Sequence, residues 1–360
     1  MRNYKLNNDS SATANRRVWM GIDTHKKTLH VTVLEAEGEV VLSQSLPHAR
    51  EHVSALIRRL EAAEIVAVYE AGPTGYRLLK WLEELGCKAF MCPPTHVRQR
   101  RGGKRIKTDE RDSYTLAEQA RAGMLPAVHA HTEQIYCERQ IVRTRGQLVK
   151  HRSQLKAQIK SLLLFHGIRA PDGLNANWSK AHRQWLEEGP STSEELNLAV
   201  QSLMEIIKSL DHQIQRLDAR LRKLEESKRW KEQAALLRSI PGVGALTAMV
   251  ALLELGDVSR FDSCEEFASW LGLVPCEWSS GEGQTKGSIT RAGNKRVRTA
   301  LVEASWSLIR HDKAMKKVYE RIKSRRGAGI AIVAVARRLA LIIRAMLREK
   351  KPYNYERAVA

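Results

Sequence analysis

The stretch Val18–Glu35 reads VWMGIDTHKKTLHVTVLE. A short apolar run leads into Gly21-Ile22-Asp23, a basic turn follows, and apolar and polar residues alternate over Leu29–Leu34. Run, turn and alternation together predict a β-hairpin. Asp23 falls at the exit of the first strand. A carboxylate in that place is ordinarily a turn former. It takes on a chemical role only where partner carboxylates converge on it.

Working outward, Glu39–Leu46 gives a third strand and His48–Ala63 has helical periodicity. Ile65–Tyr69 is a short buried strand ending in Glu70. Gly72-Pro73-Thr74-Gly75 turns the chain into a helix, Tyr76–Leu85. Lys88–Met91 is a further strand, broken by Pro93-Pro94, and Thr108 is placed to N-cap a helix over Asp109–Ala122. Three strands, then helix-strand-helix-strand-helix, is the element order of an RNase H-like α/β sheet. This unit spans 18–125, after a lead-in over 1–17 expected to be disordered.

In such a sheet the first and fourth strands are neighbours, so Asp23 and Glu70 point into one mouth. Asp109 and Asp112 lie three apart on one helix and share a face, although acids in a first helical turn also serve the helix dipole. Carboxylates held close at neutral pH repel unless a cation joins them. Mg²⁺, with Mn²⁺ as the alternative, suits a few carboxylates plus phosphate and water. Two such ions about 4 Å apart suit phosphodiester chemistry.

Just before that helix, Arg98–Lys107 reads RQRRGGKRIK, with Arg98, Arg100, Arg101, Lys104, Arg105 and Lys107 basic. Beside a metal site such a run is expected to clamp a phosphate backbone. The whole chain has the same bias: 60 Lys and Arg stand against 40 Asp and Glu over 360 residues. Nucleic acid is the partner that balance favours. Five cysteines without a C-x-x-C pattern argue against a disulfide framework and a thiolate zinc site. No run of about 18 apolar residues exists to span a membrane, and a cytoplasmic location is expected.

From about 132 the character changes. Ile141, Leu148, Leu155 and Leu162 recur every seven residues in Thr132–His166. After a Gly/Pro/Asn-rich break, Leu196, Leu203, Leu210, Leu217 and Leu224 repeat the period, with Val200, Ile207, Ile214 and Leu221 four residues after each of the first four. This heptad predicts a coiled-coil segment over 130–230, either dimerising in parallel or pairing antiparallel with Thr132–His166 in the same chain.

Residues 233–360 form a mainly helical third unit. Leu236–Thr247, LLRSIPGVGALT, has the helix–glycine turn–helix pattern of a helix-hairpin-helix. A helix over Phe267–Glu277 ends at Gly272, and a polar glycine-rich loop, Ser279–Gln284, follows. A basic helix is expected over Arg291–Arg310. A serine before a glycine in a loop is ordinarily a linker. Here Lys286, Arg291, Lys295 and Arg296 crowd behind it, where they would stabilise charge on a reacting phosphate.

These residues resemble the DEDD transposases of bacterial insertion sequences, the insertion sequence 110 family. The resemblance rests on Gly21-Ile22-Asp23, Tyr69-Glu70-Ala71-Gly72 and Lys107-Thr108-Asp109-Glu110-Arg111-Asp112. In the last unit it rests on Ile240-Pro241-Gly242-Val243-Gly244, Gly272-Leu273-Val274-Pro275, and Ser280-Gly281 with Arg291-Ala292-Gly293-Asn294. It implies a RuvC-like domain in which Asp23, Glu70, Asp109 and Asp112 bind metal. It also implies that Ser280, the serine directly before glycine, joins covalently to a DNA 5′ phosphate. Donor and target DNA, a structured guide RNA encoded by the element, and a homo-oligomer from dimer to tetramer are the implied partners. In that family the RuvC-like domain of one subunit and the serine domain of another form a composite site.

The main rival is a hydrolytic two-metal nuclease of the junction-resolvase type, in which Ser280 only fills a loop. A non-enzymatic nucleic-acid scaffold is another. An actin-like sugar kinase would need a glycine-rich phosphate turn after Asp23, and Thr24-His25-Lys26 does not supply one.

Overall fold

In the N-terminal part, strand alternation buries Val18, Met20 and Ile22 on one strand and Leu29, Val31 and Val33 on the next. The computed structural model describes residues 16–97, 108–172, 174, 178–280 and 283–354, leaving aside the side chains of 277–286. Two compact units result, 1–130 and 131–360.

The first unit holds β1 (Arg17–Thr24), β2 (Thr28–Leu34), β3 (Val40–Pro47), α1 (Arg50–Leu60), β4 (Glu64–Glu70), α2 (Arg77–Glu84), β5 (Lys88–Cys92) and α3 (Asp109–Arg121). The sheet order is β3-β2-β1-β4-β5. β1, β2 and β3 pair antiparallel, and β4 pairs parallel with both β1 and β5. That is the RNase H-like arrangement, with β1 beside β4. The interior strand β4 is buried from Ile65 to Tyr69 without interruption, as a strand covered on both faces must be. One face packs under α1 and α2 through Leu56, Leu60, Leu78 and Leu82. Val68 and Cys92 on the other meet Leu116 of α3.

Of the lead-in expected over 1–17, residues 1–15 lie outside the described residues, and Arg16 and Arg17 are ordered, against the expectation. Arg16 pairs with Glu35 at 2.9 Å, and Arg17 opens β1 beside Glu64. The basic run Arg98–Lys107, with Arg98, Arg100, Arg101, Lys104, Arg105 and Lys107, lies outside the described residues.

The second unit contains α4 (Glu133–Phe165), α5 (Lys180–Glu188), α6 (Glu194–Glu225), α7 (Lys231–Arg238), α8 (Ala245–Leu255), α9 (Cys264–Trp270), β6 (Pro275–Ser280), β7 (Gly283–Ile289), α10 (Lys295–His311), α11 (Lys313–Arg326) and α12 (Ala328–Glu349). Of the two pairings open to the α6 heptad, this chain contains the internal antiparallel one. Arg145 of α4 meets Asp218, and Arg152, two turns later, meets Asp211 of α6 at 2.6 Å. Val200 and Ile207 are buried with Ile159 and Leu163 of α4. The apolar α8, with Met249, Leu252 and Leu253 inside, lies in the main core of this unit with α10 and α12. Among the described residues no helix is long and apolar enough to cross a membrane.

Three sequence expectations shift here. In the predicted loop Ser279–Gln284 the described residues are strand, with Ser279 opposite Gln284 and Ser280 opposite Gly283. Neither strand has apolar alternation to signal it. The helix expected from Phe267 stops at Trp270, and Pro275–Glu277 are strand. The helix expected from Arg291 starts at Lys295, because Asn294 caps it, accepting from Arg296 N and Val297 N at 3.1 Å each.

Candidate metal centre and the serine hairpin

Gly21 sets how close α3 comes to the sheet. A Cβ at this position would overlap the Ser113 carbonyl oxygen and the Ala117 amide nitrogen of α3. A glycine in mid-strand therefore does what such glycines often do, and admits another backbone. Ser113 then locks the contact. Its buried Oγ lies 2.7 Å from Thr32 Oγ1 and 2.9 Å from His30 Nδ1, both on β2. At the start of the helix, Thr108 Oγ1 accepts from Arg111 N at 3.3 Å. Strand end and helix start are thereby brought to one place.

At that place His25 Nε2 lies 3.3 Å from Asp23 Oδ2 and 3.2 Å from Asp109 Oδ2. The three side chains offer donor atoms within 4.8 Å of one another. His25 is fixed by its backbone: its N–H donates to Thr28 O at 2.9 Å, and its carbonyl accepts from His48 Nδ1 at 2.8 Å. Sequence reasoning misses His25, because Thr24-His25-Lys26 reads only as a turn that cannot cradle a phosphate. A histidine two residues beyond a strand-end aspartate is the signal that could have found it.

Asp23 and Asp109 are thus brought together. Glu70 and Asp112 are not in that three-donor set. Glu70 ends β4, and the β1–β4 register, Ile22 opposite Tyr69, sets it level with Asp23. The turn after it is pinned where Tyr69 Oη donates to Gly75 O at 3.0 Å, and where Ala71 N donates to Cys92 O at 2.8 Å. Burial, with the nearby Glu70 charge added, pushes the Cys92 thiol up to about 12. It stays protonated at neutral pH and offers no competing thiolate. Asp112 sits three residues along α3 from Asp109, half-buried. Two carboxylates converging on one point, with a nitrogen donor between, form a set that fits a divalent cation.

Ser280 belongs to the other unit. It is the last residue of β6, paired with Gly283, and Lys286 stands opposite Glu277 in the same register. The base of the hairpin is held by Thr290 N donating to Val274 O at 2.9 Å and by the Arg291–Asn294 segment. A Cβ at Gly293 would overlap the Trp270 carbonyl oxygen. Arg298 donates to Leu271 O at 2.7 Å and to Arg291 O at 3.2 Å. Arg291, Lys295 and Arg296 are exposed around the α10 start.

A buried ionic group lies behind this segment, and sequence reasoning does not find it. Glu254 of α8 is fully buried and takes both forks of Arg143 at 2.9 Å each, plus Asn294 Nδ2 at 2.9 Å. Burial pushes the Glu254 carboxyl up. Hydrogen bonds from Arg143 and Asn294, with the charges on Arg143 and Arg139, outweigh it and hold it below the usual carboxylate range. The two arginines differ: the hydrogen bond to Glu254 raises Arg143, whereas burial lowers Arg139. The bidentate Arg143 pair is the stabilising one. Arg139 spends its donors on the Leu253 and Glu254 carbonyls at 3.0 and 2.9 Å.

The chain matches two family models: a DEDD transposase model of the IS110 type over residues 20–167, and the transposase IS116/IS110/IS902 family over 234–320. It is 31% identical over 298 residues to a putative transposase, y4qE, of Sinorhizobium fredii, covering 81% of this chain and 72% of that one. It is 26% identical over 347 residues to the transposase for insertion sequence element IS1533 of Leptospira borgpetersenii, covering 94% and 97%. It is 25% identical over 342 residues to the transposase for IS1111A of Coxiella burnetii, covering 93% and 91%. An RNase H-like sheet with carboxylates at its strand ends, in a chain with these relatives, is the make-up of a DNA transposase. Both family matches and the 31% identity place the chain in the IS110 family of insertion-sequence transposases.

Proposed function

We propose that the chain cuts and rejoins the DNA strands of its insertion sequence through a covalent phosphoserine intermediate, in a reaction that depends on Mg²⁺ or Mn²⁺. The observation that carries the reading is the convergence of Asp23, His25 and Asp109 at the end of β1. Asp23 and Asp109 would hold the cation, His25 would give way or join as a nitrogen donor, and Glu70 and Asp112 would complete the acidic set. When bound, the cation neutralises charge on the scissile phosphate.

Ser280 Oγ attacks phosphorus. The Oγ–P bond forms, the P–O3′ bond breaks, and the proton of the serine leaves with the 3′-hydroxyl. A second 3′-hydroxyl reverses the step and frees the serine, so the energy of the phosphodiester is kept and no nucleotide is consumed. Lys286, Arg291, Lys295 and Arg296, with Arg98, Arg100, Arg101, Lys104, Arg105 and Lys107, bind the phosphates around the break. The α7–α8 turn acts as a helix-hairpin-helix on the backbone. In this reading only Gly244 is open for it: Gly242 is spent on α10, where a Cβ would crowd the Ala304 carbonyl oxygen at 2.8 Å.

Donor and target DNA are the substrates, and a structured guide RNA of the element selects them. The long helices act as a coiled coil that joins copies into a dimer or tetramer. Half-buried Leu203, Leu210 and Leu217 and exposed Leu198 and Ile206 support that association.

The test is a protein–DNA adduct on denaturing gels. Wild type should form it with Mg²⁺, and Ser280→Ala and Asp109→Asn should each abolish it. Strand cleavage that survives Ser280→Ala without an adduct would instead identify a hydrolytic nuclease. A Leu210→Pro monomer that still exchanged strands would overturn the requirement for assembly.

A further inference from the structure

Helix α11 carries Lys313, Lys317, Arg321 and Arg325 at intervals of four residues. They form one exposed row along the helix, about 6 Å apart at 1.5 Å rise per residue. The row borders a groove of about 510 Å³ lined by Lys313, Ala314, Lys317, Val318, Arg321 and, from α12, Arg338. Among the described residues no carboxylate lines it. Among the described residues Lys313, Lys317 and Arg321 make no ion pair, and Glu320, the one acid on α11, is turned to Lys323 at 3.6 Å.

Like charges at i and i+4 destabilise a helix. A row of four therefore weakens α11 unless something anionic lies along it. The floor of the groove, Ala314 and Val318, is small and uncharged, so it offers no side-chain acceptor or donor to read a particular small molecule. What the groove presents is repeated positive charge at a step comparable to that between successive phosphates of an extended strand.

We propose that the groove between α11 and α12 holds the phosphodiester backbone of DNA, through residues that belong to neither the carboxylate set nor the serine hairpin. This rests on the reading that the chain handles nucleic acid, and it adds a binding track of named residues. Contacts of this kind fix position and carry no sequence information, so the groove anchors a strand and does not select it.

The test uses the full chain without divalent cations, so that catalysis plays no part. Binding of a labelled DNA duplex and of a labelled RNA hairpin is followed by anisotropy across a salt series. In Lys317→Gln/Arg321→Gln the log–log salt slope on DNA should fall by about 1.8, that is about 0.9 for each phosphate no longer neutralised, while the melting temperature should hold or rise as repulsion is relieved. A fall on DNA alone or on both probes supports the groove as a site for the DNA backbone, and a fall on RNA alone would overturn it. The control is Arg58→Gln/Arg59→Gln on α1, which removes the same charge elsewhere. Unchanged slopes on both probes, an equal fall in the control, or a lower melting temperature in the groove variant would overturn the proposal. A wild-type chain that bound neither probe would overturn it together with the nucleic-acid reading. Failure to form the serine adduct would leave the salt measurement standing.

Discussion

A methyl group at position 21 has no room, because the obstacle is the backbone of α3 and not a side chain that can swing aside. Gly21→Ala is therefore expected to cost about 1–3 kcal/mol, toward the upper end of what overpacking usually costs, read from urea denaturation. Stability within about 0.5 kcal/mol of wild type would show that α3 has slack. Glu254 makes the opposite case, a charge that must stay. Removing it leaves the buried Arg139 and the partly buried Arg143 without their carboxylate, so Glu254→Ala should cost about 3–5 kcal/mol. The pH dependence follows from the direction of its shift. The folded carboxyl lies below the ordinary range, so the unfolded chain takes up the proton first. The contribution of Glu254 is complete above about pH 4.3 and fades as pH falls through the folded value. The gap in melting temperature between wild type and Glu254→Gln should thus narrow from pH 7 to pH 3; a constant gap would refute it. Gly21 was visible in the sequence only as part of a turn-like motif, and the partner that explains it lies some 90 residues on. Glu254 drew no notice in the sequence: its partners are 111 and 40 residues away, and no local pattern records them.

For whole elements, periodicity was readable and partnership was not. The α6 heptad correctly marks Val200, Ile207, Ile214 and Leu221 as buried. The same spacing serves a parallel partner in another copy and an antiparallel partner in the same chain, which is why the sequence leaves both open. What distinguishes them is charge placed across the pair. Asp211 takes Arg152 of α4 at 2.6 Å and Arg183 of α5 at 2.9 Å, joining three helices. Burial pushes Asp211 up, and the hydrogen bonds from the two arginines outweigh it. Asp211→Asn should lose about 1.5–3 kcal/mol, the usual worth of hydrogen bonds to a charged group, and should speed protease cleavage in the α4–α6 region. Unaltered cleavage would mean that apolar packing alone holds the three helices. The serine hairpin escaped notice for a related reason. Polar, glycine-rich strands have no alternation to read, and only the pairing of Ser280 with Gly283 reveals them. Asp23 and Asp109, which converge in the structure, were legible from their places at a strand end and a helix start. The histidine between them was not, because imidazole carries no periodic signature.

At the scale of the molecule, the cores are separate. Every residue in the two apolar clusters that flank the sheet lies at or before Ala130, and every residue in the other two lies at or after Ile135. A unit that closes its own core has the means to fold alone. The 131–360 unit is built mainly of helices and the 1–130 unit on a mixed sheet. Scanning calorimetry of the full chain should therefore show two unfolding transitions. The residue-scale substitutions assign them: Gly21→Ala should lower one and leave the other in place, and Glu254→Ala should do the reverse. Each fragment expressed separately should melt cooperatively at the temperature of its own transition. A single transition moved equally by both substitutions would mean that the units stabilise each other as much as they stabilise themselves. It would also mean that a change in the carboxylate set is felt by the serine hairpin through stability alone, so that loss of cleavage in either variant would have to be judged against the folded fraction before any chemical role was assigned.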